Sequence, residues 1–222
     1  CRKGYSDHNM TDYSDLLTNV RNYTETSSDV LSDAVVNTFI VNVENKLFKE
    51  VDLSYYRKYD TANLTQDIAF LSLPGDWRAT RFLQIVVSDV RTTLLQKDIS
   101  FMTEYWPDRT ATGTPKYYAD WDQDTHYIAP TPSANIAVEL AYLRMPDTLS
   151  ASNTSTWISQ NAPNVLLYGC ILEGLAYLKG PTDMIQLYQQ KYTQSVQNLA
   201  TYEMGRDRRD EYRDGVIRVP LE

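Results

Sequence analysis

Between Val165 and Leu178 the chain reads VLLYGCILEGLAYL, an apolar run interrupted only by Gly169, Glu173 and Gly174. On a helix these positions cover most of the circumference, and a helix that is apolar all round is buried all round. The run is shorter than the roughly 20 apolar residues a membrane span needs. Two placements follow: the central helix of a bundle, or a helix held between its own domain and a neighbouring subunit. Three further long helices are predicted. Leu16, Leu17 and Val20 make one apolar stripe behind an N-cap at Thr11 or Asp12. Over residues 29–48, Val35, Val36, Phe39, Ile40, Val43 and Leu47 recur at helical spacing. These two helices read as an antiparallel hairpin. Near the end, Ile185, Tyr188, Tyr192, Val196, Leu199 and Tyr202 form a last stripe.

In the middle of the chain the period falls to two. Asp67–Leu73 alternates and stops at Pro74-Gly75, Arg81–Val87 reads as a second strand, and Asp98–Trp106 as a short helix. Lys116–Trp121 and Thr125–Ala129 form a hairpin about Asp122-Gln123-Asp124. Asn135–Arg144 alternates strongly, with Ile136, Val138, Leu140 and Tyr142 on one face and Pro130, Pro132 and Pro146 around it. The predicted fold class is α+β: a four-helix bundle of two N-terminal and two C-terminal helices (about 11–48 and 155–204). An antiparallel β element is inserted at about 51–146, and an extended C-terminal arm follows at 205–222. Residues 1–10 are expected to be a flexible extension, with Met10 opening a more typical start.

Composition adds two things. The 17 tyrosines among 222 residues exceed ordinary usage. Tyrosine suits either the boundary of a core or a protein interface. The formal charge of −8 disfavours sequence-blind binding to phosphate backbones. Cys1 is terminal and Cys170 sits in the buried helix, so no disulfide is expected and a reducing compartment fits. No signal-peptide or membrane-spanning run is present in the sequence.

The candidate chemistry is thin. Asp120, Asp122 and Asp124 imitate the start of a calcium loop, but Thr125 stands where its glycine belongs and Thr131 where its bidentate glutamate belongs. A hairpin turn with solvated acids is the better reading. His8 and His126 are the two histidines, each without a metal-binding neighbour in sequence. No nucleophile elbow, zinc motif or glycine-rich phosphate loop occurs. Glu173, inside the buried helix, needs a partner or a narrow polar strip. No catalytic residue, cofactor or metal is assigned.

The tail differs in kind. GRDRRDEYRD mixes acids and bases densely, and GVIRVPLE then alternates Ile217, Val219 and Leu221 as an added sheet strand does. It reads either as a disordered terminus or as an arm that orders on a partner.

Taken in order, several motifs resemble tailed-bacteriophage head-to-tail adaptor (connector) proteins. They are Leu73-Pro74-Gly75-Asp76; Pro115, Tyr117 and Tyr118; Pro130 and Pro132; Glu139, Leu140 and Tyr142; Asn153 and Trp157; and Leu167-Tyr168-Gly169 with Leu172-Glu173-Gly174. The likeness spans residues 11–203; Gly174 departs from it, alanine being usual there. The resemblance implies a structural virion protein of the neck, assembled in the host cytoplasm. It implies a homo-oligomeric, typically dodecameric ring below the portal, which extends the DNA channel and presents a platform to a tail or nozzle protein. DNA passes without sequence-specific binding, and no membrane is involved. Arg206, Arg208, Arg209 and Arg213 are then the expected charges toward the portal or a neighbouring subunit. Ile217, Val219 and Leu221 are its apolar anchors, and Trp157 and Tyr168 are core or interface anchors. Two alternatives stay open: a phage-associated hydrolase using paired carboxylates (Glu104 or Asp120 with Asp122), and a monomeric binding module.

Overall fold

The computed structural model describes residues 12–207, with side chains through Gly205. The chain divides into two units, one drawn from residues up to Ser54 and from Asp147 onward, the other from Tyr55–Pro146.

The first unit is helical. It contains α1 (Tyr13–Tyr23), α2 (Asp33–Glu50), α4 (Trp157–Asn161), α5 (Pro163–Tyr177) and α6 (Thr182–Asp207). Leu16, Leu17 and Val20 of α1 and Val36, Phe39, Ile40, Val43 and Leu47 of α2 are buried, as their spacing predicts. At its centre is α5, packed against α1, α2, α4 and α6. Gly169 allows the closest approach. A Cβ there would stand 2.6 and 2.7 Å from the two methyls of Val43 on α2. At Gly174 the nearest atom to such a Cβ is 3.4 Å away, on Thr24.

The second unit carries the strands and α3 (Ile99–Tyr105). Its first sheet has the order β1 (Arg57–Leu64), β10 (Ile136–Arg144), β3 (Trp77–Val87), β4 (Val90–Thr93), all antiparallel. Its second has the order β2 (Phe70–Ser72), β8 (Thr125–Ala129), β7 (Tyr117–Asp122), β5 (Leu95–Gln96), with β5 and β7 parallel. A parallel pair of two-residue strands joins β6 (Thr112–Gly113) to β9 (Thr131–Pro132). Leu83, Ile85, Val138, Leu140 and Tyr142 of the first sheet pack with Leu71, Tyr118 and Ile128 of the second. The other face of the second sheet, carrying Ala119, Tyr127 and Ala129, is covered by Met102 of α3.

The expected four-helix bundle with one inserted antiparallel element is therefore corrected. The described residues hold six helices and ten strands in several sheets. On the helical side, Pro163 at the first position of α5 lacks an N–H, and Ala162 before it leaves helical geometry, so α4 is a separate helix. In the β unit, β1 (RKYDTANL) is an edge strand whose residues 59–63 are exposed. It has no apolar alternation to read. The parallel pairs are chosen by neighbours distant in sequence, which periodicity does not encode.

Gly169→Ala is expected to destabilise by about 1–2 kcal/mol, because overpacking against a stiff β-branched side chain outweighs the gain in helix propensity. Gly174→Ala is expected to be neutral or slightly stabilising. Denaturant unfolding of the two variants checks the contrast; equal effects would contradict the packing described.

Candidate interaction surfaces

Trp157 follows Thr156, whose capping box with Ser159 starts α4: the Ser159 N–H donates to Thr156 Oγ1 at 3.2 Å and the Thr156 N–H to Ser159 Oγ at 3.0 Å. The half-buried indole rims a cavity of ≈ 370 Å³ together with Asn161, Asn164, Ser195, Asn198 and Tyr202. Tyr168 is also half-buried on α5. Its ring lies 6.2 Å from that of Tyr188, and Lys191 Nζ is 5.6 Å from its centroid. Two of the predicted anchors thus sit at the boundary of the helical core.

Among the described residues the burial of α5 is incomplete. Val165, Leu166, Gly169, Cys170, Ile171, Gly174 and Leu175 are buried. Leu167, Tyr168, Leu172 and Glu173 are half-buried, and Tyr177 is 56% exposed. The Asn42 amide reaches Glu173 Oε2 at 3.5 Å. Tyr23, Val30, Val41 and Leu187 of the same unit are also exposed.

Of the predicted arm, Arg206 falls in the last turn of α6, which runs through Gly205 to Asp207. Arg208, Arg209, Arg213, Ile217, Val219 and Leu221 lie outside the described residues, as does His8. Near the end of α6, buried Glu203 accepts a hydrogen bond from the Ser54 N–H at 2.9 Å.

In the β unit, His126 has no exposed surface. Its Nε2 is 2.7 Å from Thr80 Oγ1, which also accepts from Trp77 Nε1 at 3.0 Å. An Asp120 carboxylate oxygen stands 3.0 Å from Nδ1, out of line for a hydrogen bond. Burial pushes the imidazole below its ordinary value against the pull of Asp120, so the ring is neutral at pH 7. The order Asp120, His126, Thr80 imitates a nucleophilic triad, but the ring is sealed in the sandwich and Thr80 is tied to Trp77. The arrangement holds a polar group inside the core.

Asp98 and Asp120 share an open groove with Gln96, Lys97 and Ile99. Hydrogen bonds from the Ser100 hydroxyl and N–H hold the Asp98 carboxyl below the usual range. A general acid needs the opposite shift. Glu104 is on α3, and Asp122 accepts from the Asp124 N–H at 2.9 Å in the hairpin turn. Among the described residues no three His, Cys, Asp or Glu side chains are grouped as metal ligands. No helix there is long and apolar enough to cross a membrane.

Two networks went unforeseen. Asp76 binds Lys58 Nζ at 2.9 Å through Oδ2 and the Tyr142 hydroxyl at 2.8 Å through Oδ1, joining β1 and β10 to the turn before β3. Burial alone raises the Asp76 carboxyl; the bonds from Lys58 and Tyr142 outweigh it and leave a net lowering. Separately, the Arg109 guanidinium lies 4.7–5.4 Å from the ring centroids of Trp121, Tyr127 and Phe70. Both join residues far apart in the chain, so no local pattern announces them.

In the helical core, Glu44 is 5% exposed, with the Leu149 N–H 3.4 Å from its Oε1. Burial pushes its carboxyl up to about 7, the Leu149 bond opposing. Neighbouring Cys170 is raised too, by its own burial first and then by the Glu44 charge.

Compared with known proteins, residues 11–220 match the family described as SU10 adaptor protein. No curated protein matches the chain. The chain belongs to the SU10 adaptor family, structural proteins of the bacteriophage head-to-tail junction.

In the folded chain Glu44 holds its proton up to about pH 7, whereas unfolded it is more acidic, so stability falls as pH rises from about 4.5 toward 7. Glu44→Gln is expected to remove that slope and to stabilise by on the order of 3 kcal/mol above pH 7 relative to pH 4. Unfolding curves of both proteins across that range measure it; parallel pH profiles would contradict the assignment.

Proposed function

We propose that this SU10 adaptor protein assembles as a homo-oligomeric ring of twelve copies below the portal of a tailed phage. There it extends the DNA channel and offers a platform to a tail or nozzle protein. The observation that carries the reading is the uncovered side of α5, together with family membership. In a ring, each copy presents two different complementary faces that close by rotation. The helical unit offers exposed Tyr23, Val30, Val41, Tyr177 and Leu187 to such a contact. The formal charge of −8 suits a lumen through which DNA slides without being held. The role is structural; catalysis and a cofactor have no part in it.

The arm after α6 serves attachment in this reading. Arg206, Arg208, Arg209 and Arg213 face the portal or a neighbouring copy. Ile217, Val219 and Leu221 anchor the contact, while Trp157 and Tyr168 stay at the core boundary.

Removing residues 208–222 leaves α6 and the Glu203–Ser54 bond in place. The shortened chain is expected to unfold within about 1 kcal/mol of the full chain, since it loses nothing buried in the described core. Its occupancy on portal-bearing heads is expected to fall at least tenfold. Full occupancy, counted by cryo-electron microscopy, would contradict the role of the arm.

A further inference from the structure

An edge strand presents unpaired backbone groups and is a template for another strand. Here β1 lies at the end of its sheet, and its residues 59–63 are exposed, Tyr59 by 66%. The Thr61 N–H donates to Asp60 Oδ1 at 2.9 Å and not to β10. The odd-numbered residues of β1 therefore turn their backbone groups outward.

The face carrying those odd side chains is also open. Tyr59 and Phe82 lie in one cross-strand row with Ala141 between them, their rings 6.0 Å apart. A cavity of ≈ 320 Å³ beside them is lined by Tyr59, Asp60, Thr61, Phe82, Glu139 and Leu140.

In an antiparallel ladder, residues that exchange hydrogen bonds stand directly opposite and share a face. A strand bonded to Tyr59 and Thr61 thus puts its bonded side chains on the open face. The segment Val216-Ile217-Arg218-Val219-Pro220-Leu221 meets this requirement in one phase. With Ile217, Val219 and Leu221 bonded, their apolar side chains cover the Tyr59 row. Pro220, which has no N–H, then falls where the ladder needs none. Arg218 falls on the other face, opposite Asp60. Pairing with Arg218 frees the Thr61 N–H that Asp60 otherwise holds.

We propose that residues 216–221 of one copy add to β1 of a neighbouring copy as an antiparallel edge strand. In that register Ile217 is opposite Thr61, Arg218 opposite Asp60 and Val219 opposite Tyr59. The donor is assigned to a second copy because the ring reading calls for contacts between copies, and residues 59–63 of β1 are exposed among the described residues. From Asp207 to Val216 the chain reaches about 30 Å when extended. The proposal rests on the ring reading and names one of its contacts.

The test uses the full chain with Cys1→Ser. Ala62 and Val216 form a non-hydrogen-bonded cross-strand pair in this register, close enough for a disulfide. Ala62→Cys chains and Val216→Cys chains are mixed, assembled on portal-bearing heads and oxidised. Disulfide-linked dimers are expected in the mixture and not with either variant alone. A chain carrying both changes is expected to give linked ladders; closure within single chains would overturn the second-copy donor, and absence of any link would overturn the pairing. Asp60→Arg and Arg218→Asp are each expected to lower ring occupancy at least tenfold, and the two together to restore it. Recovery in the double variant separates the ion pair from misfolding; no recovery overturns the register. Rings at full occupancy with no link and silent charge reversals would remove this contact while leaving the ring standing. Virions lacking the chain would remove both.

Discussion

The helical unit is organised by one requirement: α5, apolar around most of its circumference, must be surrounded. Four helices of its own chain do most of this, and the approach of α2 is set by the missing side chain at Gly169. Close packing at that point leaves Val43 without free space, which fixes the relative placement of α2 and α5. Gly174, one turn on, meets no such limit. Among the described residues one side of α5 is left uncovered, and the same helix that organises the unit also faces outward at Tyr177.

Two buried polar groups show how each unit accommodates hydrophilic atoms. Burial beside α5 favours the neutral form of Glu44, because an ionised carboxylate with one long hydrogen bond is costly there. His126 is neutral as well, held between Thr80 and Asp120 inside the sandwich. Neither opens onto a substrate site. The Asp76 network is different: it is partly exposed and ties the sheet's edge to the Leu73-Pro74-Gly75-Asp76 turn. It joins the edge strand β1 to its neighbour β10 through one carboxylate.

The β unit is asymmetric for a physical reason. The second sheet is covered on both faces, by the first sheet and by α3, whereas the first sheet is covered on its inner face and open beside Tyr59 and Phe82. An open face and a long edge are liabilities in an isolated molecule. In a molecule that functions within an assembly they are places for contact.

Much was legible in the chain where one element supplies its own pattern. The stripe of α2, the alternation of Ile136, Val138, Leu140 and Tyr142, and the continuous apolar run of α5 each announce an element and its buried face, because side-chain direction repeats with backbone geometry. The ordered motifs from Leu73 to Gly174 likewise announced the family. What the pattern concealed was partnership. The exposed edge strand β1, the parallel pairs, and the Asp76, Arg109 and His126 groupings all depend on residues far apart in the chain. Periodicity records which way a side chain points along its own strand or helix; only the folded chain decides what it meets.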